Sequence, residues 1–221
     1  MKVTLLASTP NALEVMCKAA RTCYSEEPPV ELKMTTDAQR TLLDKVLGSG
    51  HMSVAEHVSF TFCIEDISRA ASHQLVRHRL ASYSQQSQRY VKYDNPAYYE
   101  PDSILHNREA DAIFNQFLEY STQAYSMLLD LGVPAEDARY VLPNAMTSNM
   151  TMTVNLRELI AICNVRLCNR AQTEIRRIVR EMAKVVIEVE PYFGKFLVPK
   201  CERDGFCTEE KCCGRKPKTV C

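Results

Sequence analysis

Residues 58–89 read VSFTFCIEDISRAASHQLVRHRLASYSQQSQR. In the first part of this stretch polar residues separate four apolar ones, which are Val58, Phe60, Phe62 and Ile64. A period of two is typical of a strand that buries one face. We predict a strand there, followed by a helix over about residues 68–78 and then by a polar loop.

The remaining chain predicts several helices and few strands. Helical spacing of apolar residues, with capping and breaking residues at the ends, predicts helices over 10–24, 36–48, 108–131, 135–141, 156–168 and 171–190. Further strands are predicted at residues 1–6 and 146–155. Because helices and strands do not alternate regularly, we predict an α+β fold, a single domain with a mostly antiparallel sheet packed by several helices. With only six glycines, the chain has neither a GxGxxG loop nor a P-loop.

The composition is that of a globular protein of 221 residues, 46% hydrophobic and 24% charged, and one domain is expected. Its 27 basic and 27 acidic residues cancel, so attraction of the whole molecule to nucleic acid or to anionic membranes is not indicated. No membrane span is expected, since no apolar run reaches 18 residues. The N-terminus lacks a signal-peptide cleavage pattern, and we expect a cytoplasmic protein.

Residues 77–89 concentrate hydrogen-bonding groups. Three arginines, one histidine, three amides and four hydroxyls fall within this stretch. Such groups are costly to bury, and an anionic ligand with many oxygens, such as a nucleotide, would satisfy them. On a helix Arg77 and Arg79 would point roughly 200° apart, which suits two ligands or one ligand at a subunit boundary. A solvated, cationic helix end is the plain alternative.

The spacing R-H-R-x7-S from Arg77 to Ser87 resembles the signature of the flavin-dependent thymidylate synthases. Three further segments match that family in the same order, and the resemblance spans about residues 1–197. They are HMSVAEH at 51–57, ARYVLP at 138–143 and NLR at 155–157.

The resemblance implies methylation of deoxyuridylate (dUMP) at uracil C5. Methylene-tetrahydrofolate would supply the carbon, FAD reduced by NADPH would supply the hydride, and a homotetramer would share its sites between subunits. It places dUMP against Gln74, Arg77, Gln85, Gln86, Ser87, Gln88, Arg89, Arg139 and Arg166. It places FAD against Ser53, Glu56, Arg77, His78, Arg79, Gln85, Asn155, Leu156 and Arg157.

Arg166 is the candidate catalytic residue. A guanidinium at the N3/O4 edge of uracil would lower the pKa of N3 and stabilise developing negative charge. Gln85, Ala161 and Arg170 depart from residues that many relatives carry at these positions, which leaves details of the FAD contact open.

Nine of the ten cysteines fall into two groups, and Cys168 belongs to neither. Cys17, Cys23, Cys63 and Cys163 lie in apolar segments and are predicted to be buried thiols. We predict a domain boundary after residue 198, followed by a cysteine-rich tail at 199–221. That tail is either a flexible reduced terminus or a structural zinc or iron–sulfur site, with ligands Cys168, Cys201, Cys207 and Cys212 or Cys213.

Two other functions are consistent with the same residues. A non-catalytic nucleotide- or RNA-binding module could use the arginines and tyrosines of 77–99, although zero net charge argues against it. A flavoprotein reductase of another substrate would share the FAD site but would not need Arg139 and Arg166.

Overall fold

The computed structural model of this chain describes residues 1–93 and 95–218. These residues form a four-stranded sheet in the order β1-β2-β4-β3, in which each neighbouring pair is antiparallel. The strands are β1 Lys2–Ser8, β2 Ser59–Ser68, β3 Ala81–Gln85 and β4 Thr147–Asn155. The α+β class and the antiparallel sheet predicted from the sequence are confirmed.

The helices follow the predicted periodicity closely. Their bounds are α1 Ala12–Thr22, α2 Thr36–Gly48, α3 Arg69–Leu75, α4 Asp102–Leu105, α5 Arg108–Asp130, α6 Ala135–Ala138, α7 Leu156–Arg166, α8 Thr173–Val189 and α9 Lys200–Asp204. Short 3₁₀ turns lie at Pro29–Glu31, Met52–His57, Arg139–Val141 and Pro191–Lys195. No helix of the described ranges combines the length and the apolar character that crossing a membrane requires.

The core lies between one face of the sheet and the helices that cover it. Phe60, Phe62 and Ile64 of β2 are buried there, as the alternating pattern predicted. They meet the apolar stripe of α8, whose buried members include Ile175, Ile178, Val179, Met182 and Val186. The core positions therefore follow from a period of two in β2 and a period of 3.6 in α8.

A β-bulge places Ile64 and Ile67 on the same buried face of the sheet, although residues three apart in a regular strand face opposite sides. Ile64 pairs with Met150 and Ile67 with Ser148, so two residues of β2 lie opposite the single residue Asn149. One of the two, Asp66, takes a left-handed conformation, and its N–H donates to the side chain of Asn149 at 3.1 Å. The extra residue turns Ile67 back to the buried face.

One prediction about these elements was wrong. The polar loop after α3 contains the edge strand β3, whose residues pair with β4. The helix predicted over 108–131 is present as α5, and its apolar residues at helical spacing face outward in the single chain, because the buried side of α5 carries Leu118, Ser121 and Tyr125. Ile113, Phe117 and Tyr120 are 70%, 55% and 62% exposed.

The buried cysteines were predicted in part. Cys17 and Cys163 are buried, and burial raises the pKa of their thiols to about 11 and about 12. Cys63 is half-buried, and Cys23 is exposed rather than buried. A thiol with a raised pKa is a poor nucleophile at neutral pH, so Cys17 and Cys163 serve as core residues.

A buried carboxylate joins α8 to the end of β2. Glu174 accepts hydrogen bonds from the backbone N–H of Ser68 at 2.7 Å and from its hydroxyl at 2.6 Å. The Ser68 hydroxyl in turn accepts the N–H of Ala71 at 3.0 Å and caps α3. Both Glu174 and Ser68 are buried, so no solvent competes for these bonds.

Glu174→Ala should lower the free energy of unfolding by about 3 kcal/mol, because the substitution leaves the buried N–H of Ser68 without an acceptor. Urea unfolding of the wild type, of Glu174→Ala and of Glu188→Ala would measure this. Glu188 is exposed on the same helix, and its loss should change stability by less than about 0.5 kcal/mol. Equal effects of the two substitutions would contradict a structural role for Glu174.

Candidate functional site

The Arg77-His78-Arg79 segment forms a turn rather than a helix end. α3 stops at Leu75, and the hydroxyl of Tyr83 donates to the backbone oxygens of Leu75 at 2.9 Å and of His78 at 2.8 Å. The helix predicted over about residues 68–78 is therefore shorter than expected. The turn is instead held by the two hydrogen bonds of the Tyr83 hydroxyl, which comes from β3.

His78 and Arg166 meet within this turn. The Nε of Arg166 donates to Nε2 of His78 at 3.1 Å, and its NH2 donates to the backbone oxygen of Gln74 at 3.2 Å. The Nδ1 of His78 lies 3.6 Å from a carboxylate oxygen of Glu158. An Nε2 that accepts a bond leaves the proton on Nδ1, facing Glu158. Two predicted residues distant in sequence thus form one cluster with Glu158.

The electrostatics of this cluster keep His78 neutral. Burial, and after it the positive charge of Arg166, lower the pKa of His78 below its usual range. Burial raises the pKa of Glu158. A neutral imidazole can accept the Arg166 hydrogen bond and an imidazolium cannot, so the orientation of Arg166 depends on this protonation state.

The two arginines that flank His78 point to solvent. Arg77 and Arg79 are exposed, and neither forms an ion pair with any residue in the described ranges. Arginine forks without protein counterions are suited to bind phosphate oxygens.

The side chain of Gln85, the last residue of β3, and the backbone of the following residues bond to β4. Gln85 donates to the hydroxyl of Ser148 at 3.2 Å, and the backbone N–H of Gln86 donates to the oxygen of Asn149 at 2.9 Å. The hydroxyl of Ser87 accepts the N–H of Arg89 at 3.1 Å. These bonds fix the backbone of the segment alongside β4.

A second cationic group lies at the other end of the segment. Arg89 forms an ion pair with Glu136, and the Nε of Arg139 donates to the backbone oxygen of Glu136 at 2.9 Å. Gln88 donates to the sulfur of the buried Met146 at 3.0 Å. The structure therefore brings the predicted Gln88, Arg89 and Arg139 around α6 and Met146, apart from the cluster at His78.

The predicted flavin residues at the start of α7 have local partners. Asn155 caps the helix by accepting the N–H of Glu158 at 2.9 Å. The side chain of Leu156 is fully buried. Arg157 forms an ion pair with Glu56, and the nearby Ser53 is exposed. Arg157, Glu56 and Ser53 form a third surface group.

Sequence reasoning missed two residues of these groups. Glu158 lies beside His78, and Arg69 lies beside Arg139. Glu158 directly follows the NLR segment, and its position in the first turn of α7 was the available signal. Arg69 had no signal of its own, because a single arginine at a helix start is common.

The cysteine-rich tail packs against the end of α7. Arg215 donates to the backbone oxygen of Leu167 at 3.3 Å and to the side chain of Asn169 at 3.0 Å. Arg170 forms an ion pair with Glu209. Arg166 and Arg170 therefore have separate partners, and α7 ends at Arg166.

The predicted metal site does not assemble in the described part of the chain. Within residues 1–93 and 95–218, no three or more histidine, cysteine, aspartate or glutamate side chains are arranged to hold a metal ion. Cys168, Cys201 and Cys207 line one cavity with Cys213. The sulfur of Cys212 accepts the N–H of Gly214 at 3.3 Å, donates to the oxygen of Lys216 at 3.2 Å and also interacts with the side chain of Cys207. The tail residues 219–221 lie outside the described residues.

A family model and several known proteins of one family are similar to most of this chain. The family model described as thymidylate synthase complementing protein (Thy1) matches residues 4–192. A flavin-dependent thymidylate synthase of Geobacter sulfurreducens is 46% identical over 205 residues, which cover 91% of this chain and 88% of that protein. One of Nitratidesulfovibrio vulgaris is 42% identical over 233 residues, which cover 98% of this chain and 95% of that protein.

A solved structure shares the fold. It is the crystal structure of a UMP/dUMP methylase, PolB from Streptomyces cacaoi, bound with 5-Br dUMP. The TM-score is 0.80 at 25% sequence identity, and the match covers 88% of this chain and 93% of that chain.

Lowering the pH should weaken the wild type relative to His78→Gln. The unfolded chain binds a proton at His78 near pH 6.5, whereas the folded chain, with its lower pKa, resists it. The His78 contribution to stability is therefore present above pH 6.5 and falls as the pH drops below that value. Glutamine keeps an acceptor for Arg166 but does not titrate.

Urea unfolding of both proteins between about pH 5 and pH 8 measures the difference in the free energy of unfolding. That difference should shrink or reverse below about pH 6.5. A difference that is constant across this range would show that His78 is not held neutral.

Proposed function

The chain belongs to the Thy1 family of flavin-dependent thymidylate synthases, and we propose that it converts dUMP to dTMP. We propose methylene-tetrahydrofolate as the carbon donor and NADPH-reduced FAD as the source of hydride. The observation that carries the proposal is the pairing of Arg166 with His78 in the Arg77-His78-Arg79 turn. The relatives named as thymidylate synthases and the methylase structure with 5-Br dUMP support it.

In this proposal the substrate contacts both cationic groups. The phosphate would be held by arginine forks, and the amides after β3 would orient the sugar and base. The proposed dUMP residues are Gln74, Arg77, Gln85, Gln86, Ser87, Gln88, Arg89, Arg139 and Arg166.

Arg166 is the proposed catalytic residue. Its guanidinium would lie at the N3/O4 edge of the uracil, where it would stabilise negative charge that develops on the ring. His78 fixes its Nε and Gln74 its NH2. Because both contacts exist before substrate binds, the charge of Arg166 needs little reorganisation at the moment of reaction.

The residues present fit FAD. Arg77 and Arg79 are exposed cations without an ion pair in the described ranges, and FAD carries a pyrophosphate that matches two such groups. When bound, FAD would supply the redox chemistry, and the protein would orient it. The proposed FAD residues are Ser53, Glu56, Arg77, His78, Arg79, Gln85, Asn155, Leu156 and Arg157.

We propose that the active form is a homotetramer with shared sites. In one chain, exposed Arg77, Arg79 and Arg89 would be poorly shielded from water. The exposed apolar stripe of α5 supports contact between copies. It consists of Ile113, Phe117, Tyr120, Met127 and the following Leu131.

The proposed enzyme acts on small molecules in the cytoplasm, and we propose no nucleic-acid or membrane partner. Residues 1–198 would form the catalytic domain, and 199–221 a tail that the reaction does not require.

Tritium release from C5-labelled dUMP, with methylene-tetrahydrofolate, NADPH and FAD, tests this function. The wild type should release tritium only when FAD is present. Arg166→Ala should lower kcat by about 10²- to 10³-fold, as removal of a charge-stabilising donor does. Arg180→Ala, at an exposed position of α8, is the matched control and should leave the rate unchanged.

Two results would contradict the proposal. One is the absence of tritium release from folded, FAD-loaded protein. The other is NADPH oxidation that ignores dUMP and survives Arg166→Ala, which would favour a flavoprotein reductase.

Phe117→Glu should break the homotetramer into smaller species, because it places a charge in the middle of the apolar stripe. Light scattering coupled to size-exclusion chromatography measures the mass. Ala112→Glu adds the same charge to an exposed position of α5 that lies about 140° around the helix from Phe117. The control should keep the wild-type mass, and a Phe117→Glu protein of unchanged mass would place the interface elsewhere.

A further inference from the structure

Glu158, in the first turn of α7, belongs to none of the segments on which the proposed function rests. One oxygen of its carboxylate lies 3.6 Å from Nδ1 of His78. The side chains of Glu158 and His78 are only 14% and 13% exposed, so water screens this contact weakly. Within residues 1–93 and 95–218, the carboxylate of Glu158 forms no other ion pair.

A role in the helix alone does not account for this orientation. A glutamate in the first turn complements the helix dipole, and at this position it can return a hydrogen bond to the backbone N–H of the N-cap residue. Among the described residues, no such bond joins the N–H of the cap, Asn155, to the carboxylate of Glu158. The carboxylate faces the imidazole instead.

The hydrogen bond between Arg166 and His78 requires one tautomer of the imidazole. Arg166 donates from Nε to Nε2 of His78 at 3.1 Å, and a guanidinium has no lone pair with which to accept. Nε2 must therefore be unprotonated, and a neutral ring then carries its proton on Nδ1, on the side of Glu158. Because 3.6 Å is too long for a direct hydrogen bond, the carboxylate acts through its charge, which favours an N–H opposite it over a lone pair.

Other contacts fix the positions of both partners. The backbone oxygen of His78 accepts the hydroxyl of Tyr83 at 2.8 Å, and the NH2 of Arg166 donates to the oxygen of Gln74 at 3.2 Å. Neither contact selects a tautomer of His78. In the described part of the chain, Glu158 supplies the carboxylate that can do so.

We propose that Glu158 is a positioning residue that keeps the proton of His78 on Nδ1, so that His78 can orient Arg166 towards the substrate. The inference rests on the proposed function, in which Arg166 stabilises charge on the uracil. Without the carboxylate, the Nε2-protonated form becomes populated, and its N–H points at the Nε–H of Arg166. Arg166 then loses one of the two contacts that orient it.

The tautomer can be measured without any reaction. In FAD-loaded protein with ¹⁵N in its five histidines, NMR distinguishes a protonated ring nitrogen from an unprotonated one, and the spectrum of His78→Gln assigns His78. The wild type should show Nδ1 protonated and Nε2 unprotonated. Glu158→Leu should populate the Nε2-protonated form. Glu188→Leu, at an exposed position of α8, is the matched control and should keep the wild-type form.

Tritium release from dUMP measures the consequence for the reaction. Glu158→Leu should lower kcat by about 10-fold, as the loss of a supporting contact does, and should change KM for dUMP by less than about 2-fold because the other substrate contacts remain. Glu158→Gln keeps an oxygen but not the charge, so its kcat should lie between those of the wild type and Glu158→Leu. In a His78→Gln background, Glu158→Leu should cause no further loss, because Glu158 acts through His78.

The outcomes separate this inference from the proposed function. A wild-type tautomer in Glu158→Leu would overturn the inference, and so would additive losses in the double variant, which would indicate a structural role. If Glu158→Leu does not fold, a wild-type tautomer in the isosteric Glu158→Gln overturns it. A wild type that releases no tritium would instead contradict the proposed function, while the tautomer would still test the contact between Glu158 and His78.

Discussion

The hydrogen bonds between Glu174 and Ser68 determine where β2 ends and α3 begins. The two residues are 106 positions apart, and their contact is buried, so it fixes α8 to one point of the sheet. Because Ser68 also caps α3, the same contact sets the direction of that helix. Arg69 and the Arg77-His78-Arg79 turn follow directly, and their positions depend on this single carboxylate.

Residues of the candidate site lie at both ends of strand β4. Met146 precedes the strand and meets Arg69 and Gln88, whereas Asn155 ends it and caps α7. Because β3 runs antiparallel to β4, Gln85 at the end of β3 lies near the start of β4, on the side of Met146. The two cationic groups therefore lie at opposite ends of one strand pair, an arrangement that suits an extended ligand with charged and uncharged parts.

The sequence predicted the elements with strong periodicity and missed what depends on distant contacts. The residues of α2 and the core face of β2 follow from local spacing, and the structure has them. Strand β3 was missed because its polar sequence resembles a loop, and only pairing with β4 makes it a strand. The helix before it was predicted too long, since the turn at Val76 is held by the phenol of Tyr83 from the next strand.

The last turn of α7 is restrained from two sides, and this gives the tail a physical connection to the site. On one side Arg166 bonds to His78 and to the backbone of Gln74. On the other, Arg215 of the tail binds the backbone oxygen of Leu167, the residue next to Arg166. A carbonyl at a helix end has no partner within the helix, so the bond from Arg215 satisfies it and stabilises the final turn. The described part of the tail thus bonds to the backbone oxygen of the residue that follows Arg166.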